Sequence, residues 1–484
     1  VPVDERYKFG QLPNGMRYVI RSNATPKGQA LVRMVVNTGS LDEADGERGF
    51  AHFVEHMAFN GSTNVPEGEM VKLLERLGLA FGADTNASTG FERTTYMLDL
   101  PRNDPALLDT ALMLMRETAS ELTISQAAVE RERGVILSEK RDRNTFALRN
   151  FQDQMQFLHP EARYSSRLPI GTDETLNAAT AEQLRAFWRR EYVPAQTTVI
   201  VVGDFPADVM EAAIKARFAD WRPAPAEPQP LAGPLDRRTG PNEDVFIDQA
   251  LSERVTVTRG GPWLNEPDSL AQRRENLLRQ IGYGIINRRL LSRTREANAP
   301  FRGAGVATPD QFREGRATNL VVETIDGGWK RGLLTATAEY RRALEFGFTA
   351  AEVAEQIANT RTAARNAAAS ESTRTHGTLL GAVLALVIDD YVPDKPSRSL
   401  QRLEAFIPEI TPEAVLAALK RELVPLEQPL IRFQGRREPQ GGTKALREAW
   451  DQAVTAKVEK PQARAAGAFA YTDFGPAGQV VSDV

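Results

Sequence analysis

Two segments of this chain, Thr180–Pro194 and Thr411–Pro425, align without gaps and are identical at seven of fifteen positions. The identical pairs are Thr180/Thr411, Glu182/Glu413, Ala186/Ala417, Arg190/Arg421, Glu191/Glu422, Val193/Val424 and Pro194/Pro425, every one offset by 231 residues. Each segment reads as a helix that its Val-Pro step ends, because proline cannot continue a helix and restricts the residue before it. Such a match near the ends of two similar-sized blocks predicts a duplicated domain, and 484 residues are enough for two. The join falls at Pro223-Ala-Pro-Ala-Glu-Pro-Gln-Pro230, where four prolines in eight residues favour an extended linker. The expected layout is a first domain at 1–222, a linker at 223–242, a second domain at 243–440 and a C-terminal segment at 441–484. That last segment is Gly/Ala-rich from about Gly467, lacks periodicity and is expected to be a loose tail or a linker.

The first block mixes strands and helices. Residues 6–39 carry β-prone runs with a turn signal at Asn14-Gly15, and Thr94–Leu100 alternates as a strand. Met70, Leu73, Leu74 and Leu77 recur at helical spacing, and helices are expected at Pro105–Leu122, Gln126–Arg143 and Thr180–Arg190. Thr197–Val202 reads as a buried strand.

Composition removes several classes of function. A net charge of −4 gives no electrostatic case for nucleic acid or an anionic membrane surface. The most apolar run, Leu379–Ile388, stops at Asp389-Asp390, well short of the ~18–20 residues that span a bilayer. The chain has no cysteine, so disulfides, thiolate metal sites and cysteine nucleophiles are excluded.

Only four histidines are present, and two of them fall within His52-Phe-Val-Glu55-His56. On a helix, His52 and His56 stand one turn apart on one face, so both rings can reach one metal ion, with Glu55 beside them to act on a water. A catalytic zinc needs three protein ligands and one open position, so one ligand remains to be found. His159 and His376 read as structural or surface residues. The charged helix Glu130–Arg143 offers two carboxylates, Glu132 and Glu139, seven residues apart and so on one face, with Val135, Ile136 and Leu137 as an apolar stripe to bury. For either carboxylate taken singly, an ordinary solvated helix with an ion pair such as Glu139–Arg143 is the stronger reading.

The run Gly49-x-Ala51-His52-Phe53-x-Glu55-His56-x-x-Phe59-x-Gly61-Ser62, followed by Glu130-Arg-Glu-Arg-x-Val-Ile-x-x-Glu139, resembles the inverted-zincin peptidases of the pitrilysin type, family M16. Leu12-x-Asn14-Gly15-Met16, Asn86-Ala87-Ser88, Tyr192-x-Pro194 and Val201-Val202-Gly203-Asp204 extend the resemblance over residues 10–205, and a weaker likeness continues over 245–440. It implies an α+β fold of two tandem homologous domains, each a mostly antiparallel sheet packed on helices, forming one half of a clamshell. It implies one Zn2+ held by His52, His56 and Glu139, with Glu55 as general base and Glu132 as a supporting carboxylate. Eighty-three residues separate His56 from Glu139, somewhat more than is usual in the family. The extra residues fit best in a loop near Leu79–Ala83; otherwise Glu132 becomes the ligand.

By the 231-residue offset, His52, Glu55 and His56 fall on Tyr283, Ile286 and Asn287, so the second domain is expected to be a copy without the metal site. The resemblance also implies a peptide substrate added as a strand at Asn86, Ala87 and Ser88. Arg295 would grip that substrate, although Arg302 stands where self-sufficient small members carry Tyr. This favours a second half, downstream or in another subunit, over a homodimer. The resemblance, the missing cysteine and the start at Val1 together lead to the expectation of a periplasmic or secreted protein.

Overall fold

The computed structural model describes residues 1–80, 82 and 84–460. The first half builds a six-stranded sheet from β1 (Tyr7–Gln11), β2 (Arg17–Ser22), β3 (Ala30–Val36), β4 (Thr85–Thr89), β5 (Thr94–Leu100) and β6 (Thr197–Gly203). The strand order is β1-β2-β6-β3-β5-β4, antiparallel except where β2 runs parallel to β6. The second half repeats this with β7 (Glu243–Ile247), β8 (Arg254–Pro262), β9 (Gly303–Ala307), β10 (Asp310–Gln311), β11 (Gly315–Glu323) and β12 (Leu430–Gly435). There β7 is parallel to β12, β12 pairs with β8, β8 with β11, and β9 lies beside β11 as β4 lies beside β5. The duplication read from one helix thus extends to the topology of both sheets, which are mostly antiparallel as expected.

Among the described residues, eight α-helices belong to the first half: α1 (Phe50–Met57), α2 (Glu69–Arg76), α3 (Pro105–Ser120), α4 (Gln126–Arg143), α5 (Phe146–Leu158), α6 (Asp173–Ala178), α7 (Ala181–Glu191) and α8 (Ala207–Phe218). The second half carries α9 (Leu270–Arg293), α10 (Trp329–Phe346), α11 (Ala350–Ala369), α12 (His376–Asp389), α13 (Pro396–Phe406), α14 (Pro412–Glu422) and α15 (Gly442–Thr455). The repeated segments are α7 and α14. Both start on a threonine cap, the Thr180 hydroxyl accepting from the Gln183 N–H and the Thr411 hydroxyl from the Ala414 N–H.

One core lies between the first sheet and its helices, joining Val32, Met34, Tyr96 and Leu98 to Phe50, Phe53, Leu112 and Phe187. A second joins Val257, Leu320 and Phe433 to Ile285, Leu333, Leu419 and Trp450. The apolar run at Leu379–Ile388 is explained by α12. Its Leu379, Leu380 and Val383 cover the far face of the first sheet against Val19, Val35, Ile200 and Val202. With both faces covered, β6 is buried along its whole length and needs no polar alternation. Among the described residues, no helix is long and apolar enough to cross a membrane.

The expected loose segment from residue 441 needs correction. Residues 442–455 form α15, where Leu446, Ala449, Trp450 and Ala453 are buried at helical spacing and the first three join the second core. The Gly/Ala-rich stretch from Gly467 lies outside the described residues, as do Phe81 and Ala83 of the loop proposed for the extra residues.

Both histidines outside the motif are buried. His376 ties the halves together: its Nε2 donates to the Pro26 carbonyl at 2.7 Å, and its Nδ1 accepts from the Asn23 amide at 3.0 Å. His159 is buried with no protein partner for Nδ1, and burial, with Arg238 nearby, pulls its pKa down to about 4. An unfolded chain takes up this proton near pH 6.5, whereas the folded chain resists it until about pH 4. The His159 contribution is therefore fully present above pH 6.5 and is lost as the pH falls. Between pH 7 and pH 5 the loss is about 2 kcal/mol. Denaturant melts at the two pH values should show a smaller acid loss in His159→Gln than in the parent; equal losses would disprove this account.

Candidate metal centre

The metal motif lies on α1, whose sequence is apolar on nearly every side of the stripe that carries it. Phe50, Ala51, Phe53, Val54 and Met57 are buried, and His52, Glu55 and His56 occupy neighbouring positions at i, i+3 and i+4. The helix begins on Gly49, at φ +94°, with no capping side chain. A Cβ there would come within 2.9 Å of the Gly171 Cα, so glycine is required by conformation and by space. The missing cap is supplied from outside the helix. The buried Glu43 carboxylate accepts the N–H groups of Gly49 at 3.0 Å and Ala51 at 2.9 Å. Burial holds its pKa well above the usual range despite those bonds. The Glu43 carbonyl is itself gripped by Arg163 and Arg167. No capping signature marks Glu43 in the sequence.

Helix α4 lies against α1 and delivers both carboxylates. It buries Ala128, Val129 and Ile136; of the expected Val135–Leu137 stripe, Leu137 packs only partly and Val135 is half exposed. The His56 Nε2 is 3.2 Å from one Glu139 oxygen, and the His52 Nε2 is 3.8 Å from the other. The imidazoles meet nearly at right angles, 86° with centroids 4.7 Å apart. His52, His56 and Glu139 thus offer three ligand atoms within 4.8 Å of one another. Arg143, one turn on, pairs with Glu139 at 2.6 Å.

Glu132 lies behind His56, with one carboxylate oxygen 3.0 Å from Nδ1. A carboxylate accepts, so that contact calls for the proton on Nδ1, and in the neutral ring Nε2 then carries the lone pair, on the side of Glu139. Burial works to lower the His56 pKa, but the Glu132 hydrogen bond and the charges of Glu139 and Glu55 outweigh it and raise it. The His56 bond holds Glu132 below its ordinary value. The His52 Nδ1 is buried with no hydrogen-bond partner among the described residues, and burial drives the His52 pKa down to about 3. It is therefore neutral at physiological pH, as a metal ligand must be. Burial raises the Glu55 pKa, partly offset by a hydrogen bond from the Thr89 hydroxyl at 2.5 Å.

The remaining candidates are distributed around this cluster. Asn86, Ala87 and Ser88 lie on β4, the edge strand of the first sheet, with Asn86 and Ser88 exposed. Arg295 is exposed in the turn after α9 and belongs to the other half. In that half Tyr283 and Asn287, which the 231-residue offset sets opposite His52 and His56, are committed elsewhere. The Asn287 amide bonds both the N–H and the C=O of Val306 on β9, and the Tyr283 hydroxyl donates to Thr308. Sequence reasoning missed Thr89 and Glu43 as parts of the site.

Two family models match this chain. Residues 18–159 match the model of insulinase (peptidase family M16), and residues 178–360 match that of the peptidase M16 inactive domain. The chain is 40% identical over 215 residues to the probable zinc protease PqqL of Escherichia coli K12, covering 44% of this chain and 23% of that protein. It is 30% identical over 301 residues to a zinc protease PQQL-like protein of Arabidopsis thaliana, covering 62% and 31%. In fold it is similar to the crystal structure of the first half of the periplasmic protease PqqL from E. coli, with TM-score 0.86 and 24% identity over 96% of this chain and 99% of that one. Against the complete PqqL structure the TM-score is again 0.86, at 24% identity, over 100% of this chain and 53% of that one. The chain therefore spans about half of that protease, and a smaller share of the two curated relatives.

Proposed function

The chain belongs to peptidase family M16, and from that premise we propose that it is the catalytic half of a zinc-dependent metalloendopeptidase cleaving unfolded peptides or small proteins. The observation that carries this reading is the convergence of His52, His56 and Glu139, with Glu55 on the same helical face as the two histidines. Two imidazole nitrogens and a carboxylate are donors that suit zinc and leave a position open. The chemistry zinc supplies when bound is Lewis acidity, which polarises the scissile carbonyl and acidifies water. Glu55 takes the proton of the attacking water and returns it to the leaving amine. Glu132 holds the His56 tautomer. The substrate backbone adds to the open edge of β4 at Asn86–Ser88, which gives affinity with little sequence selectivity. Arg295 reaches the substrate from the second domain.

The match to a complete first half, and to only 53% of the full protease, supports a chamber whose other wall lies in a second half. That half is downstream in a longer chain, in a separate subunit or in a second copy of this one. Arg302, at the family's Tyr position, favours the first two. A periplasmic or secreted location is in keeping with the E. coli neighbour, which is described as periplasmic.

The test is zinc stoichiometry together with hydrolysis of quenched peptides of ~10–30 residues, the unstructured kind that strand addition requires. The chain is assayed alone and mixed with a candidate second half. One zinc per chain, with cleavage alone or on mixing, is expected. Absence of zinc and of cleavage in both arms would reject the peptidase reading in favour of a non-catalytic subunit.

A further inference from the structure

We propose that Thr89 is a positioning residue that fixes the Glu55 carboxylate and ties the base to the strand that receives the substrate; this rests on the peptidase reading above. The Thr89 hydroxyl donates to Glu55 Oε2 at 2.5 Å, the one side-chain hydrogen bond that carboxylate receives among the described residues. The charges of His56, Glu139 and Arg143 also act on Glu55, but a half-buried carboxylate with a single hydrogen-bond donor takes its rotamer from that donor.

The sheet register explains why Thr89 makes this contact. Along β4, Thr85, Ala87 and Thr89 turn toward the helical layer, while Asn86 and Ser88 point away and are exposed. A peptide added to the β4 edge and the Glu55 carboxylate therefore share one strand as their reference. Thr89 is itself anchored. It pairs with Thr94, whose hydroxyl donates to the Thr38 carbonyl. Just beyond, the carbonyls of Gly90 and Phe91 accept the N–H groups of Ser40 and Leu41. Two residues further along that segment, Glu43 caps α1. The end of β4, the capping segment and the metal helix thus form a closed ring, with the Thr89–Glu55 bond as its short link.

The test compares Thr89→Val, which keeps the shape and removes the donor, with Thr89→Ser, which keeps the donor. In whichever assembly cleaves peptides, Thr89→Val should lower kcat roughly 10- to 100-fold, the worth of a hydrogen bond to a charged group. KM and zinc content should stay unchanged, and Thr89→Ser should restore most of the rate. Crystal structures of the zinc-loaded parent and both variants should show the Glu55 carboxylate displaced only in the valine form. A Thr89→Val protein with the parent kcat, or with Glu55 in the parent position, overturns the proposal. Cleavage that survives Glu55→Gln removes Glu55 from the base role instead, and absence of zinc and of cleavage in the parent rejects the peptidase reading; in either case the carboxylate position still decides whether Thr89 positions Glu55.

Discussion

Glu55→Gln should retain one zinc per chain and lose cleavage by roughly 10^3- to 10^4-fold, the upper range for a general base. The structure separates the two readouts. Glu55 is outside the group of residues close enough to share a metal, which among the described residues is His52, His56 and Glu139. Glutamine has the same shape and can still accept from the Thr89 hydroxyl through its amide oxygen. The packing of α1 is untouched, because the Glu55 side chain lies on the polar stripe and the apolar faces belong to Phe50, Phe53, Val54 and Met57. What glutamine cannot do is take a proton from water and pass it to the departing amine. The measurement is kcat/KM on a quenched peptide beside zinc content. A glutamine chain cleaving within about tenfold of the parent would remove Glu55 from the base role.

Much of this site was legible because it is local. The His52–His56 spacing and the seven-residue interval from Glu132 to Glu139 are helical arithmetic, and both helices form where the pattern placed them. The duplication was legible because the capped helices α7 and α14 and the Val-Pro step after each align without gaps and share seven of fifteen residues. The parts that were missed depend on the fold. Thr89 reaches Glu55 through the register of an edge strand against a helix 34 residues away. Glu43 caps α1 from six residues before its first turn, where a Gly at the cap position gives no sign of an acidic partner. The apolar run at α12 lacked an explanation until the far face of the first sheet was seen to need a cover. Helix α15 is a different case. Leu446, Ala449, Trp450 and Ala453 carry the helical period plainly, and the expectation of a loose tail overrode a signal that was there.

The choice between the two carboxylates of α4 leads to the second large effect: Glu139→Gln should strip zinc from the chain, and Glu132→Gln should only weaken it. The sequence left both open, because the interval from His56 is long and either residue faces the motif. The geometry assigns them different work. Glu139 presents its two oxygens to the Nε2 atoms of both histidines, at 3.2 and 3.8 Å. Glu132 contacts only His56, and through Nδ1, the nitrogen that points away from the cluster. Apparent zinc affinities of about 10–16 kcal/mol shared among four ligands put one ligand at about 2.5–4 kcal/mol, or roughly 10^2- to 10^3-fold in affinity. An outer partner that orients a histidine is worth roughly 10- to 100-fold. Competition against a chelator of known affinity reads both. Glu139→Gln should fall to the bottom of that scale and lose cleavage with its zinc. Glu132→Gln should keep stoichiometric zinc at micromolar free metal, because the glutamine amide oxygen can still accept from the His56 Nδ1–H, though without the carboxylate's charge. The opposite order would make Glu132 the ligand, and would mean that α4 turns by part of a helical step when zinc binds.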